Sequence, residues 1–453
     1  MNDQTKPLSF RTKFVFGFGD LGNAAAATVI PLLFLFFLTD VAGISPGKAG
    51  TILLICKIWD ALVDPYIGVI SDNSRHPMGR RRPFFLFASV PFAVLFGLLW
   101  TIPSAFAARP GTYIAMVYIA YTTAASFIQI PYNSLTAQLT THYHERTALT
   151  SYRMAFSIGA GILFSVIPIE IVHAFEDQRQ GFSIMGWSVA AILIASPLAL
   201  FYFIKERPRE MGEEAIDWRR GIRIIMANKP FWLALIMFLF SWMALDVLAA
   251  MLVYYIKYWL QKESWISLYL GTVFVTAAIF LPGWLALSRR IGKKASYLMG
   301  STLLTLCLLV LYLLPGTAHL PALLLCFLVG IGVSAIHVFP WSIIPDVVEY
   351  DELKSGKRRE GLYSGFASLL RQLSTSGALF LVGMLLEQAG YQPNAAQTPE
   401  ALRMIRLLIG PVAAIMYLIS MAAIWFYPID QVFHDRMNNL LARKRTRHAP
   451  ETD

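Results

Sequence analysis

Apolar stretches of about 20 residues, parted by short polar breaks, follow one another from end to end of the chain. By window reading they fall near 14–38, 48–71, 83–104, 111–139, 150–173 and 182–204, then near 231–256, 265–288, 295–314, 320–345, 361–388 and 402–427. A helix of about 20 apolar residues crosses a hydrocarbon core of roughly 30 Å. The pattern therefore predicts an all-α membrane protein with twelve transmembrane helices. An even count places both termini on one side. The longest polar break, Lys205 to Lys229, divides six spans from six. The expected organisation is a six-helix bundle over 1–204, a linker over 205–229, a second six-helix bundle over 230–428 and a basic tail over 429–453.

Composition agrees with that reading. Of 453 residues 56% are hydrophobic and only 15% charged, against about a quarter charged in soluble domains. Soluble enzymes, fibres and disordered scaffolds are excluded. The net charge of +10 raises nucleic-acid binding, but the placement of the charges answers it. About 28 of the 38 Lys and Arg lie in segments on the side of the termini, while the opposite loops hold Arg109, Arg179, Lys257 and Lys262. That bias predicts cytoplasmic termini in a multi-pass plasma-membrane protein (the inner membrane, in a bacterium), with anionic lipid rather than nucleic acid as its electrostatic neighbour. Cys56, Cys307 and Cys326 sit inside apolar runs with no metal-like spacing, which suits packing. The polar N-terminus has no cleavable pattern behind it, so the first span is expected to stay.

A motif recurs in the two halves. Gly68-Val-Ile-Ser-Asp72 runs into Gly79-Arg80-Arg81-Arg82 between the second and third spans. Between the eighth and ninth, Gly283 leads into Arg289-Arg290-Ile291-Gly292-Lys293-Lys294, with Leu287 where the acid would be. Two six-span repeats around a central cavity is the arrangement of many transporters. The first copy resembles the signature loop of the major facilitator superfamily. In it Gly68 is expected to let two helices approach closely, and Asp72 to pair with an arginine or cap a helix, so that Gly68, Asp72, Gly79, Arg80 and Arg81 form a gate. The alternative is a hairpin that only sets topology.

Ionisable side chains at bilayer depth carry the functional signal, since each costs about 2.5–3.5 kcal/mol at a helix centre and needs a partner or a wet cavity. Lys57, Asp60 and Asp64 fall at i, i+3 and i+7, on one helical face. Lys57, placed with the gating set, neutralises one acid and leaves a net charge of about −1. That suits one Na⁺, a hard cation preferring oxygen, or one H⁺. Pro65 has no N–H for the carbonyl of Ala61, which frees another oxygen. The other reading of the trio is a structural ion network.

Gln129, Asn133 and Thr136 make a polar stripe bent at Pro131, suited to a polyhydroxylated or zwitterionic ligand or to interhelical hydrogen bonds. Gln129 is also an oxygen donor for the cation. Asp20 lies among glycines, either lining a cavity or packing helices, and Asp246 is similar but isolated. Arg153 is the positive partner on the fifth span, ahead of a Gly159/Gly161 contact face, and Arg371-Gln372 is its counterpart on the eleventh. His337, near Trp341, lines a cavity or sits satisfied in the core. His142-Tyr-His144-Glu145 suits a solvated turn better than a metal. No Walker loop, nucleophile elbow, HExxH or CxxC framework occurs, so nothing in the chain points to an enzyme.

Lys57-Ile-Trp-Asp60-Ala-Leu-Val-Asp64-Pro65, Gly79-Arg-Arg-Arg-Pro83, Ile130-Pro-Tyr-Asn-Ser-Leu135, Glu145-Arg146 with Tyr152-Arg153, and Pro345-Asp-Val-Val-Glu-Tyr-Asp-Glu-Leu-Lys354 together resemble the glycoside–pentoside–hexuronide:cation symporters, the melibiose-carrier relatives within the major facilitator superfamily. The resemblance runs over nearly the whole chain. It implies Na⁺, H⁺ or Li⁺ at Asp60 and Asp64, and a matching arginine in Arg153. Where the melibiose carrier has acids on its first span this chain reads Asn23 and Ala24, and its fourth-span acid and aromatic correspond to Gln129 and Asn133. The Ile-Pro-Tyr-Asn-Ser-Leu-Thr and Ser-Tyr-Arg-Met segments are also similar to animal sodium-coupled lysolipid carriers.

The expectation is a cation-coupled symporter using alternating access, for a sugar or glycoside or, alternatively, a lysolipid or other amphiphile. Asp60, Asp64 and Gln129 take the cation, with Asp60 and Asp64 as its metal-type ligands. Asp20, Asn23, Gln129, Asn133, Arg153, His337, Trp341, Arg371 and Gln372 take the substrate. No cofactor is expected beyond Na⁺ or H⁺ as coupling ion, and the partners are the small-molecule substrate, that cation and the lipid bilayer, around a monomer.

Overall fold

The computed structural model describes residues 8–74, 76–139, 143–204, 224–226, 228–355 and 359–429, with 431, 433, 436, 437 and 440, and all their side chains except those of 72, 136–138, 143, 144, 146, 147, 360 and 361. Most of the expected linker and tail, His142, and the side chains of Asp72, Thr136 and His144 thus lie outside the described residues. Every regular element among the described residues is helical. Among the described residues ten helices are long and apolar enough to cross a membrane. One of them, Glu263–Leu313, is 51 residues long and folds back at Gly292, where φ is +84°, so it supplies two spans. The helix Pro46–Asn73 has the length, but Lys57, Asp60 and Asp64 reduce its apolarity. With it the chain has the twelve spans of the hydropathy pattern.

We label the spans α1 (Phe10–Phe34), α2 (Pro46–Asn73), α3 (Arg82–Leu99), α4 (Pro110–Leu139), α5 (Tyr143–His173), α6 (Gln178–Phe203), α7 (Lys229–Trp259), α8 and α9 (266–291 and 293–313), α10 (His319–Ser355), α11 (Glu360–Gln388) and α12 (Pro399–Trp425). Two helix starts carry side-chain caps. Ser9 accepts the N–H of Thr12 at 3.2 Å, and Asp177 that of Arg179 at 2.9 Å. Pro31 and Pro411, lacking an N–H, lie in wider i→i+5 turns over Ile30–Phe34 and Leu408–Val412.

The helices gather into two compact units, one of residues 1–212, 249–271 and 376–405, the other of 213–248, 272–375 and 406–453. In the first, α1 meets α5 at Gly17, where a Cβ would stand 2.8 Å from the Tyr152 carbonyl oxygen. Only glycine permits that approach, and it brings Asp20, one turn on, beside Arg153. The Gly159/Gly161 positions expected as a contact face on α5 pack against no described residue, because a Cβ at either meets nothing within 4 Å among the described residues. Gly68 likewise allows no close approach, since its nearest neighbour would be Ile130 Cγ2 at 4.0 Å.

The repeated hairpins do the same work in each unit. Gly79 and Gly292 both adopt positive φ, +116° and +84°, which L side chains avoid. Just beyond each, a basic side chain clasps the carbonyls that end the sixth helix of its half. Arg82 Nε and Nη2 donate to Phe201 O at 3.1 and 2.7 Å, and Lys294 Nζ donates to Trp425 O and Tyr427 O at 2.7 and 3.1 Å. A cation on the orphan carbonyls of a helix C-terminus is favourable on both hydrogen-bond and dipole grounds.

Candidate functional site

In the first unit, α2 presents Asp60 and Asp64 towards α4. Trp59 sets the register, its indole N–H donating to Thr123 Oγ1 at 3.0 Å. One turn along α4, Ser126 Oγ lies 3.2 Å from Asp60 Oδ1 and 2.5 Å from Asp64 Oδ1. A hydroxyl has a single proton, so at any instant it serves one of these two oxygens fully. Lys57 Nζ sits 2.9 Å from Asp60 Oδ2. The structure thus joins the three ionisable residues read from the sequence and adds Ser126, which that reading missed. The signal was present, since Ser126 lies three residues before Gln129 and extends the same polar stripe. Gln129 itself donates to Asn133 Oδ1 on its own helix at 3.3 Å, and no described bond links it to the carboxylates. Two carboxylates and a hydroxyl form an all-oxygen set that fits a hard monovalent cation. No group of three or more His, Cys, Asp or Glu side chains that could hold a metal occurs among the described residues.

Asp20 and Arg153 form the second feature of this unit. Arg153 Nε is 3.3 Å from Asp20 Oδ2, and the Asp20 side chain is only 4% exposed. The guanidinium lies over the Tyr132 ring at 5.2 Å, and Tyr132 is fixed by stacking on Phe16 and by donating to its carbonyl at 2.8 Å. Asp20 Oδ1 is buried without a hydrogen-bond partner among the described residues. Such an oxygen is costly unless a ligand donor meets it. Asn23, half-buried, lies one turn further along α1.

At the ends of the helices away from the termini, the same unit buries a network invisible to local sequence reading. Asp40 accepts from Tyr391 and Thr39 hydroxyls at 2.6 and 2.7 Å and from Tyr258, with Lys257 Nζ at 3.3 Å. Lys257 also donates to Asn394 Oδ1 at 2.7 Å. Burial above all, then Tyr254 and the charge of Asp40, push the Tyr391 phenol well above its ordinary value.

In the second unit, Arg371 places its guanidinium 4.2 Å from the centre of the Trp242 ring. Trp242 contacts His337 at 5.2 Å and Trp341 at 6.4 Å between ring centres. Nearby Asp246 accepts from Thr375 Oγ1 at 2.5 Å and lies in the field of Arg371. Asp246 is therefore not isolated, and His337, Trp341 and Arg371 do come together. Trp242, four residues before Asp246 on one face of α7, is the member sequence reading missed. Gln372 adjoins Arg371 in sequence and is half-buried.

Of the gating set, Arg81 is buried, Arg80 is half-buried, and Arg82 rather than either makes the clasp described above. Glu145 has a defined partner in Lys13 at 3.0 Å, so it ties the start of α1 to α5. Asp346 and Asp351 of the α10 motif hold Lys293 at 2.7 Å and Arg359 at 2.8 Å.

Twelve spans in which the basic hairpin recurs, with Asp20, Asp60 and Asp246 buried and Arg153 and Arg371 half-buried within them, define a multi-pass membrane transporter. The chain belongs to the MFS/sugar transport protein family, which matches it over residues 15–431. An uncharacterised symporter of Synechocystis is 32% identical, with 97% of this chain and 98% of that one aligned. The isoprimeverose transporter of Lactiplantibacillus pentosus is 26% identical over 97% of this chain and 92% of its own. A sodium-dependent lysophosphatidylcholine symporter of Danio rerio is 22% identical over 97% and 89%. Among solved structures, a D-xylose–proton symporter superposes with a TM-score of 0.68 at 16% identity, covering 92% of this chain and 97% of that one, which speaks for the fold.

Proposed function

We propose that the chain is a cation-coupled secondary symporter of a sugar or glycoside, working by alternating access as a monomer with both termini in the cytoplasm. The observation that carries the coupling is the Ser126 hydroxyl shared between the Asp60 and Asp64 carboxylates. In this reading Na⁺ or H⁺ enters between the two acids and relieves their repulsion. The half-empty Asp20, with Arg153 over Tyr132, accepts and donates to substrate hydroxyls in the first unit, with Asn23, Gln129 and Asn133 beside them. In the second unit the Trp242 ring and Arg371 offer a stacking face and a donor. If each ligand favours the state that binds the other, each tightens the other by the same factor.

The test is uptake of a labelled glycoside by vesicles containing the purified protein, under an inward Na⁺ gradient, an inward proton gradient, or neither. Accumulation driven by one gradient is the expected result. Uptake indifferent to both gradients would end the coupling proposal. A second reading, a lysolipid or other amphiphile as cargo, rests on the similarity to the zebrafish symporter. Accumulation of lysophosphatidylcholine and not of glycosides under the same gradients would select it.

A further inference from the structure

The second unit contains a cavity of about 630 Å³ that the transport reading does not use. It lies at the turn between α8 and α9, under the end of α12, and Arg289, Arg290, Lys293 and Lys294 line it with one carboxylate, Asp346. Both oxygens of Asp346 accept from Lys293, at 2.7 and 2.9 Å. Lys294 bonds only carbonyls, at Trp425 and Tyr427. Arg289 and Arg290 are exposed, and no described ion pair involves them. Three of the four cations thus lack a described carboxylate partner. The remaining wall is mostly apolar, with Leu298, Ile343 and Ile424 among its residues beside Ser288 and Gln431.

We infer that this cavity is a binding site for the headgroup of an anionic phospholipid. Cations without a carboxylate partner supply several donors to the non-bridging oxygens of a phosphodiester. Basic pockets between transmembrane helices bind such headgroups when they lie at headgroup depth. A turn joining two spans lies at that depth. The apolar wall favours an amphiphile over a free anion, and the excess of positive charge favours an anionic over a zwitterionic lipid. Arg82, the counterpart of Lys294 in the first half, is held between the Phe201 ring and carbonyl, and none of the first hairpin's residues lines this cavity.

The test uses the full chain, purified in neutral detergent and titrated with dioleoylphosphatidylglycerol, dioleoylphosphatidylcholine or inorganic phosphate. Bound lipid is read by native mass spectrometry and stability by thermal unfolding. The expected result is one phosphatidylglycerol retained tightly and a raised unfolding midpoint, with neither effect from phosphatidylcholine or phosphate. Arg289→Gln with Arg290→Gln, both exposed, should weaken retention roughly 30-fold, while Arg109→Gln on the opposite loops leaves it unchanged. Equal retention of the two lipids, equal stabilisation by phosphate alone, or full retention by the double variant each overturns the proposal. A photoactivatable phosphatidylglycerol should label residues 289–298 of the native chain, and labelling only elsewhere overturns it too. Sugar uptake is not part of this readout, so its failure and that of the transport reading are distinguishable.

Discussion

Replacing Asp64 by Asn separates a cation seat from a structural ion network, because only the first makes stability respond to the cation through this residue. Ser126 Oγ is 3.2 Å from one carboxylate oxygen and 2.5 Å from the other, so these oxygens stand within about 6 Å of each other. Two unit charges at that distance repel by about 3 kcal/mol at an effective dielectric of about 20. Lys57, 2.9 Å from Asp60 Oδ2, and solvent at the half-buried Asp64 offset most of this, and about 1 kcal/mol survives. Against the gain stands the weakening of one charge-assisted hydrogen bond from Ser126, about 1 kcal/mol. The variant without cation should therefore unfold close to the wild-type temperature. The wild type should gain about 2.7 kcal/mol of stability when Na⁺ or another coupling ion reaches a hundred times its dissociation constant, and Asp64→Asn should gain nothing. The assay is thermal unfolding in detergent with NaCl against choline chloride at fixed ionic strength, repeated across pH 5–8 for the proton case. A variant that melts several degrees lower without cation, yet keeps the wild-type response to it, would refute the reasoning.

Gly17→Val should force α1 off α5, costing about 1–3 kcal/mol as overpacking and separating Asp20 from Arg153, so substrate affinity falls together with the unfolding midpoint, read by calorimetry and binding. Trp242→Ala should weaken substrate binding roughly 3- to 30-fold through loss of the cation–π contact with Arg371 while leaving cation binding by isothermal titration unchanged; an unchanged substrate affinity would remove the second-unit set from the site. The raised Tyr391 phenol contributes stability that is complete below the unfolded value of about 10 and is lost as pH rises past it towards the folded value. Tyr391→Phe should accordingly lower stability at neutral pH by about 1–2 kcal/mol and lessen the decline above about pH 10, measured as unfolding midpoint against pH.

What sequence alone could show was set by distance along the chain. Lys57, Asp60 and Asp64 were legible because helical spacing puts them on one face, and the ion pair of Lys57 with Asp60 follows from it. Ser126 belongs to another helix, and only an extension of the Gln129–Asn133 stripe would have pointed there. Asp40 was out of reach, since its partners at 258 and 391 come from distant segments and no local pattern connects them. The Gly159 and Gly161 positions misled for a different reason. Small residues mark close helix contacts and open surfaces alike, and which of the two holds depends on the neighbouring helix. Twelve spans were legible throughout, because the bilayer forces the same period on every one.

The repeated architecture makes the cation count a sharp question. The two hairpins share a positive-φ glycine and the clasp that Arg82 and Lys294 make, even though Leu287 replaces the acid in the second. Laying Gly68 on Gly283 puts Val275 where Asp60 stands and Ile279 where Asp64 stands, both exposed and apolar. Structural chemistry has thus been kept in both halves, while paired acids occur in one. A neutral, apolar surface at the second position has no oxygen to offer a hard ion. The chain should therefore bind one coupling cation, measured as one equivalent of ²²Na⁺ by equilibrium dialysis at saturating substrate, or as one proton taken up per substrate bound in weakly buffered medium. Two equivalents would place an ion outside the α2–α4 pair and show that the pair is not the seat of coupling by itself.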